Sequence, residues 1–585
     1  MSDTAPILIE GPEQSLFDPA LADGGLPPLP GVHSYQIFRA SHDVPQLTDD
    51  RGWTYHHHVD MAIWRGRLYV GWNTCEKDED VWPSRELFSS SADGVGWASQ
   101  REMFPQGTST PLRMYFFRDP ATGRMLVIGG LRIDTTKTSE DRKGGLLVRE
   151  LRADHTLGEV YVLQNPGDAA TNYQSFETAG DEGFSAACRA LLADTVFLEQ
   201  QDRGRLLGPR GMPFHQPSYW PGGQMPGGEK WTFGKAFSFI TRPDGVTVGI
   251  SKMAWTVTSS DGGRTWTEPV QPPTLVTGKA KVWAQKTPDG RYLLAYNPSE
   301  RQRYPLAVVA GDDGRAFGGM RIVQGELPIQ RYAGADRSVG PQYTRGVSHW
   351  ADDGSRAGEG AVWLVYSMSK EDLWVSRIPV PVLPDPADPA GAVDDGFAGG
   401  EAAAAALVRW NVYRPRWCDV SLAADGLRLR DGDPFDYAAV TRAFSPRKTA
   451  TASITLTPDF SCGGQIDVEL VSQFGSRRPA RVALTHEGVL LATPDGQRLV
   501  ATPATGERIE LGLCLDLAAG TVSLSVDGRP AAGPVPVAEP ADDVARLVLR
   551  TGPYRNVGGK RPVPEGSDVP VEGPSAVLHR VRITS

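Results

Sequence analysis

The sequence predicts an all-β protein: a seven-bladed, alternatively six-bladed, β-propeller followed by a C-terminal β-sandwich. Three observations carry this. The 65 Gly and 47 Pro residues make up about a fifth of the 585-residue chain, well above the usual share, and with no collagen period the excess marks many tight turns. From His33 to about Pro381 short alternating runs are joined by Gly/Asp/Pro turns, with helical periodicity confined to Ser185–Val196. Finally, a turn motif recurs at an interval of about 50 residues, the period of a four-stranded propeller blade.

The elements follow in order. Residues 1–30 are Pro- and Gly-rich without a period and read as an arm on the surface. The span 31–385 carries hairpins. Met61-Ala62-Ile63-Trp64 turns at Arg65-Gly66 into Arg67 to Trp72. Tyr115 to Arg118 turns at Asp119 to Gly123 into Arg124 to Gly129, and Ala284 to Lys286 turns at Thr287 to Gly290 into Arg291 to Tyr296. The motif itself is clearest at Ser259-Ser260-Asp261-Gly262-Gly263-Arg264-Thr265-Trp266. Its Asp accepts backbone N–H bonds, its Gly takes positive φ and its Trp packs between sheets. A degenerate copy carries Asp312, Gly314 and Phe317, 51 positions on, and a shorter one carries Ser91, Asp93, Gly94 and Trp97. These boxes are read as architecture rather than chemistry. Residues 386–405 form a Pro-, Asp-, Gly- and Ala-rich linker. From 406 to 585 strands resume without the box, as at Gln465–Leu470, Ala480–Leu484 and Thr521–Val526, which fits a β-sandwich acting as an accessory or glycan-binding domain.

Composition excludes several classes. A net charge of −10 leaves no basic footprint for nucleic acid, and no run of about 18 apolar residues offers a membrane span. Met1 to Pro6 lacks the charged and apolar regions of a secretory signal. The chain as given therefore reads as cytoplasmic, or as periplasmic or secreted if a leader has been removed. Five scattered cysteines without a CxxC pair argue against a disulfide framework and a cysteine zinc site.

Chemistry concentrates in five places. Trp53 to Asp60 contains His56, His57 and His58; in a regular strand His56 and His58 would share one face and His57 the other, and imidazole suits acid–base work near neutral pH. Cys75-Glu76-Lys77-Asp78-Glu79-Asp80 reads as a solvated acidic face that offers oxygen ligands for a structural calcium, with Glu86 beyond it as a site carboxylate. No other metal or cofactor is expected. Lys281, Trp283 and Gln285 alternate onto one strand face in a pattern that suits a sugar. Arg331, Arg337, Tyr343 and Arg345 sit on a Gly-rich segment, where Arg grips carboxylates and Tyr exchanges protons. The loop from Gly208 to Gly222 carries Arg210, His215 and Tyr219.

With these residues assembled, residues 31–385 resemble the sialidase-like, Asp-box propeller superfamily of carbohydrate-active enzymes. The segment His57-His58 before Trp64 to Tyr69 resembles the first blade of propeller rhamnosidases and rhamnose–glucuronate lyases, in which a histidine carries the chemistry. Trp363 to Arg377 is similar to the last blade of bacterial Asp-box proteins described as glycosidase-like. The C-terminal part resembles laminin-G or concanavalin-like domains. The chain departs from true sialidases where Phe38-Arg39-Ala40 stands in place of their Arg-Ile-Pro. The resemblance implies a glycoside hydrolase acting on a carboxylated or rhamnose-capped oligosaccharide or polysaccharide. Its catalytic residues would be His57, His58, Tyr343 and Arg345; substrate would touch His56, Glu86, Arg210, His215, Tyr219, Lys281, Trp283, Gln285, Arg331 and Arg337. Two alternatives stand beside it, a polysaccharide lyase eliminating at a uronic acid and a non-catalytic glycan-binding protein, and oligomeric state stays open.

Overall fold

The computed structural model describes residues 5–79, 81, 83–105, 114–131, 145–165, 171–200, 236–278, 280–355, 360–382, 391–502, 506–555 and 559–585. The chain divides into two compact units, one of residues 1–11, 37–319 and 330–381, the other of residues 12–36, 320–329 and 382–585. The stretch expected as a surface arm is thus shared between them, and it is packed. Leu8–Ile9 is a short strand parallel to Ala316–Phe317 in the first unit, and Ala22, Leu26 and Leu29 are buried in the second. Among the described residues no helix is long and apolar enough to cross a membrane.

The first unit is built of antiparallel sheets taken in chain order. The first comprises Tyr55–Trp64, Arg67–Cys75, Ser84–Ser91 and Arg101–Glu102; the second Tyr115–Arg118, Met125–Leu131, Gly145–Leu151 and Tyr161–Gln164. The third is Ser238–Thr241, Thr247–Ile250 and Thr256–Ser259. The fourth is Trp283–Lys286, Tyr292–Tyr296, Leu306–Gly311 and the start of Ala316–Gln324, and the fifth is Pro341–Gly346, Ala361–Met368 and Asp372–Pro379. All three hairpins named from the sequence are present. First strands adjoin around a common centre: first sheet against second, third against fourth, fourth against fifth, and fifth back against first. That is the propeller arrangement, with apolar side chains filling the wedges between sheets. One wedge holds Phe104, Met114, Phe116 and Val127, and another Phe117, Leu126, Phe197 and Trp350.

The described residues hold five such sheets. The helices Glu182–Ala193 and Thr195–Gln200 lie between the second and third sheets; the first starts three residues before the predicted helix, with Asp181 capping the Phe184 N–H.

The boxes are turns, as their chemistry requires. Asp261 Oδ1 accepts from the N–H groups of Arg264 and Thr265 at 3.0 and 2.9 Å, and the Trp266 indole donates to the Gly263 carbonyl at 3.1 Å. Asp93 accepts from Val95 and Gly96, and Trp97 donates to Gly94. In the third copy the turn carboxylate is Asp313, which accepts from Arg315 and Ala316, while Asp312 pairs with Arg291 at 2.6 Å. The motif register there is displaced by one residue from the sequence reading.

In the second unit two sheets account for the strands, antiparallel except where His33–Tyr35 runs parallel to Val412–Arg414. One runs in the order Trp410–Arg414, Ala439–Arg447, Val544–Arg550, Gln465–Val471, Ala480–Thr485, Gly488–Thr493, Gly496–Ala501. The other centres on Ser575–Thr584 and Thr449–Asp459, the latter burying alternate residues on one face. The expected linker is partly regular structure: Val393–Gly396 pairs with Ser575–Thr584, and Gly400–Leu407 is a helix.

Gly94 closes the ring. Its φ is +75°, and a Cβ there would sit 1.9 Å from the Trp363 indole of the fifth sheet. Gly94→Ala therefore combines left-handed strain with a clash against a buried ring. It should destabilise the first unit by about 2–4 kcal/mol, read as a lowered midpoint of chemical unfolding, while Gly123→Ala, at an open turn, should cost about 1 kcal/mol.

Candidate active site

The site begins with a break in strand alternation. In the first strand His57 pairs with Asn73 and Asp60 with Gly71, so His58 and Val59 together oppose the single residue Trp72. This is a bulge. His58 takes φ +54° to make it, which turns its ring to the same side as His57. The fifth sheet repeats the device. Gln342 pairs with Ser367 and Arg345 with Val365, so Tyr343 and Thr344 oppose Tyr366 alone, and Tyr343 has φ +52°. The two bulges face each other. His57 and His58 ring centroids are 4.4 Å apart, and Tyr343 lies edge-on to both at 4.7 and 5.6 Å.

One cavity is lined by His58, Tyr343, Arg345, Lys281 and Tyr115, with Val59 and Ala236. Arg345 approaches Asp60 at 3.4 Å and lies over the Tyr115 ring at 4.8 Å. Burial pushes the Asp60 carboxyl up, against the pull of Arg345. Lys281 donates to the Phe237 carbonyl at 2.7 Å. Behind Tyr343 stand two further cations, Lys252 at 4.9 Å and Arg303 at 5.8 Å from the ring centre.

The two histidines have different partners. His57 Nδ1 lies 2.5 Å from the Ser367 hydroxyl, and its buried Nε2 has no hydrogen-bond partner among the described residues. Burial, then the neighbouring charges of His58 and Lys370, bring His57 well below the usual imidazole value, so it is neutral. His58 Nε2 meets Glu79 Oε1 at 3.1 Å, and Lys370 bonds the other Glu79 oxygen. Burial opposes ionisation of Glu79, but the bond from His58 and the charges of His58, His57 and Lys370 outweigh it and hold the carboxylate ionised. Donor atoms of His57, His58 and Glu79 lie within 4.8 Å of one another, a grouping able to take a metal ion. Lys370, though, already supplies that carboxylate with a positive charge.

Other residues singled out from the sequence lie elsewhere. His56 turns away from the cavity: its Nε2 reaches the Trp53 carbonyl at 2.9 Å, its Nδ1 accepts from Trp72, and burial lowers it to about 4. Strict alternation had paired it with His58, and the bulge separates them. Glu86, on the third strand of the first sheet, is buried with a carboxylate oxygen beneath Gly129 of the second sheet. Trp283 is buried, donating to Gln285 Oε1 at 2.7 Å, so this indole and amide satisfy each other and only Lys281 of that stripe reaches the cavity. Arg331 grips Asp372 with two bonds of 2.9 and 2.7 Å, and Arg337 lies 3.3 Å from Glu371. Those two arginines are structural ion pairs. In the acidic run Asp78 accepts from the Ala335 N–H and Glu79 goes to His58 and Lys370, while Asp80 lies outside the described residues. Arg210, His215 and Tyr219 lie outside the described residues. Glu79, read as solvated, and Ser367, Lys370 and Lys252 were not legible as site residues, because each reaches it from a distant strand or turn, whereas Asp60 lies on the histidine strand itself.

Residues 8–203 match the model of the BT_1020-like N-terminal beta propeller, and residues 410–561 match that of the sialidase-like CBM domain. A solved structure titled as a sialidase superposes with a TM-score of 0.86 at 29% identity, over 99% of this chain and 54% of that one. The chain carries the sialidase-like propeller fold. It spans about half the length of that solved sialidase. A mutant Trypanosoma rangeli sialidase with trans-sialidase activity, at 11% identity and a TM-score of 0.34 over 96% of each chain, is too distant to add to this. No curated protein was found to match.

If Arg331 is structural, its removal leaves Asp372 buried and uncompensated. Arg331→Ala should lower stability by about 3–5 kcal/mol, measured by denaturant unfolding, whereas Arg264→Ala, at an exposed turn position, should change it by no more than about 0.5 kcal/mol.

Proposed function

We propose that this protein is a glycoside hydrolase whose first unit cleaves a glycosidic bond at a carboxylated sugar. The observation that carries the reading is the convergence of His58, Tyr343, Arg345 and Lys281 at one cavity, with buried His57 packed directly behind His58 and Tyr343. Support comes from the sialidase-fold neighbour at 29% identity, since sialidases are glycosidases.

The roles follow from the states of the groups. Hydrolysis needs a proton donor for the leaving oxygen and a base for the attacking group. Neutral His57, with a lone nitrogen, is the base. His58, oriented by ionised Glu79, is the donor, and Tyr343 between them gives or takes a proton. Arg345 and Lys281 receive the sugar carboxylate, the guanidinium offering paired N–H donors. The rhamnose-capped variant of the substrate has no residue of its own in this arrangement.

The test is turnover of a panel of oligosaccharides ending in acidic sugars, followed by reducing-end release. His57→Ala should lower kcat by about 10²–10⁴-fold, and Arg345→Ala should act mainly by raising KM. A product absorbing in the ultraviolet as a conjugated uronate would replace hydrolysis by elimination, and no turnover on any acidic glycan would favour a binding protein. The pH profile follows from His57. Its base form is the neutral one, and its proton affinity lies well below the ordinary 6.5. The acidic limb of kcat/KM should therefore fall below pH 6.5, with rate retained at pH 6.

A further inference from the structure

The first two sheets enclose a second hollow, of about 340 Å³, whose lining includes Arg67, Tyr69, Phe88, Ser90, Arg101 and His155. It is remote from the histidine cavity. Tyr69 pairs with Ala62, four positions along the strand from Asn73, the partner of His57, or about 13 Å at strand rise. Its volume lies in the range of ligand pockets.

Its lining is one-sided. Arg101 lies over the Phe88 ring at 4.8 Å, its head exposed, and Arg67 donates to the Ser90 hydroxyl at 3.2 Å. Neither arginine has a carboxylate partner among the described residues, and no Asp or Glu lines the hollow. In a chain of net charge −10 this is a local excess of donors. A further polar group comes from a strained turn. His155 has φ +66°, and its Nδ1 lies 2.6 Å from the Tyr69 hydroxyl. Burial pushes the Tyr69 phenol up to about 12, so it keeps its proton and is able to donate to Nδ1. The other ring nitrogen, Nε2, is on the far side of the ring from Tyr69. Two guanidinium groups, one over an aromatic ring, together with an imidazole and serine hydroxyls, match a sugar bearing a carboxylate: paired donors for the anion, single polar groups for hydroxyls.

We infer that this hollow is a second binding site, for a carboxylated sugar unit of an acidic polysaccharide, separate from the cavity where cleavage is proposed. The inference does not depend on that cleavage.

The test is calorimetric titration of the full chain with trigalacturonate, with maltotriose and inorganic phosphate as comparison probes. The variants are the double change Arg67→Ala with Arg101→Ala, and Lys281→Ala in the other cavity. Arg101 is exposed and Arg67 half-buried, so the double variant should keep the parent's circular dichroism and unfolding midpoint. Trigalacturonate should bind, the double variant should weaken it at least tenfold, Lys281→Ala should leave that binding event in place, and maltotriose should not bind. Unchanged affinity in the double variant, loss only in Lys281→Ala, no binding of trigalacturonate, or phosphate binding as tightly as the sugar would each overturn the inference. The last outcome would reduce the hollow to a simple anion trap.

Discussion

Two facing bulges set the geometry on which the rest of the site depends. A regular strand would send His57 and His58 to opposite faces, and would do the same to Tyr343 and its neighbours. By inserting one extra residue on each strand and accepting positive φ at His58 and Tyr343, the chain gathers two imidazoles and a phenol where pleating would scatter them. Non-glycine residues in the left-handed region cost of order 1–3 kcal/mol each and persist only where surrounding packing overrides them. Here the packing is the ring of first strands, which holds both bulges against each other. Lys370, with φ +59°, and Ala236, with φ +58°, border the same place. Left-handed residues elsewhere, such as Arg65 and His155, sit in turns; at His58 and Tyr343 they sit on two facing bulges within strands.

Electrostatics then divides the gathered groups into roles. The cavity carries several cations and few anions: Arg345, Lys281, Lys252, Arg303 and Lys370 against Glu79 and Asp60. In such surroundings two adjacent imidazoles cannot both be charged without mutual repulsion. Burial settles which one gives way, leaving His57 neutral against Ser367, and Glu79 supports His58. The excess of positive charge is also what the proposed carboxylate-bearing substrate rests on.

Much of the fold was legible in the sequence, and the reason is local. A hairpin is specified by its own turn residues, so Arg65-Gly66, Asp119 to Gly123 and Thr287 to Gly290 announced theirs, and the Asp261 box announced a turn closed by its own side chain. Blade number is not specified by such turns, because it is a count over the whole chain and long connections such as the helices after Asp181 interrupt the period. At the site, residue types were legible and directions were not. His57, His58, Tyr343, Arg345 and Lys281 stood out as chemistry-bearing, yet so did His56, Arg331 and Arg337, which the structure buries in hydrogen bonds and ion pairs of its own. Nothing along the chain separates Arg345 from Arg331, since both sit in Gly-rich surroundings near a tyrosine. Only the position of Asp372 on the strand alongside decides that Arg331 is consumed.

That contrast gives a rule for reading arginines in this molecule. Arg331, paired bidentately to a carboxylate and almost wholly buried, has spent its donors on the fold. Arg67 and Arg101 have not: one bonds a serine, the other rests on a ring, and their charge faces a hollow without a counter-ion among the described residues. Arg345 lies between these extremes. Its 3.4 Å approach to Asp60 is long for a charge-assisted bond, and burial makes Asp60 a reluctant anion. A substrate carboxylate in the cavity would thus meet a guanidinium that the protein holds in place but does not neutralise. A structural pair lacks that condition, and a recognition site requires it.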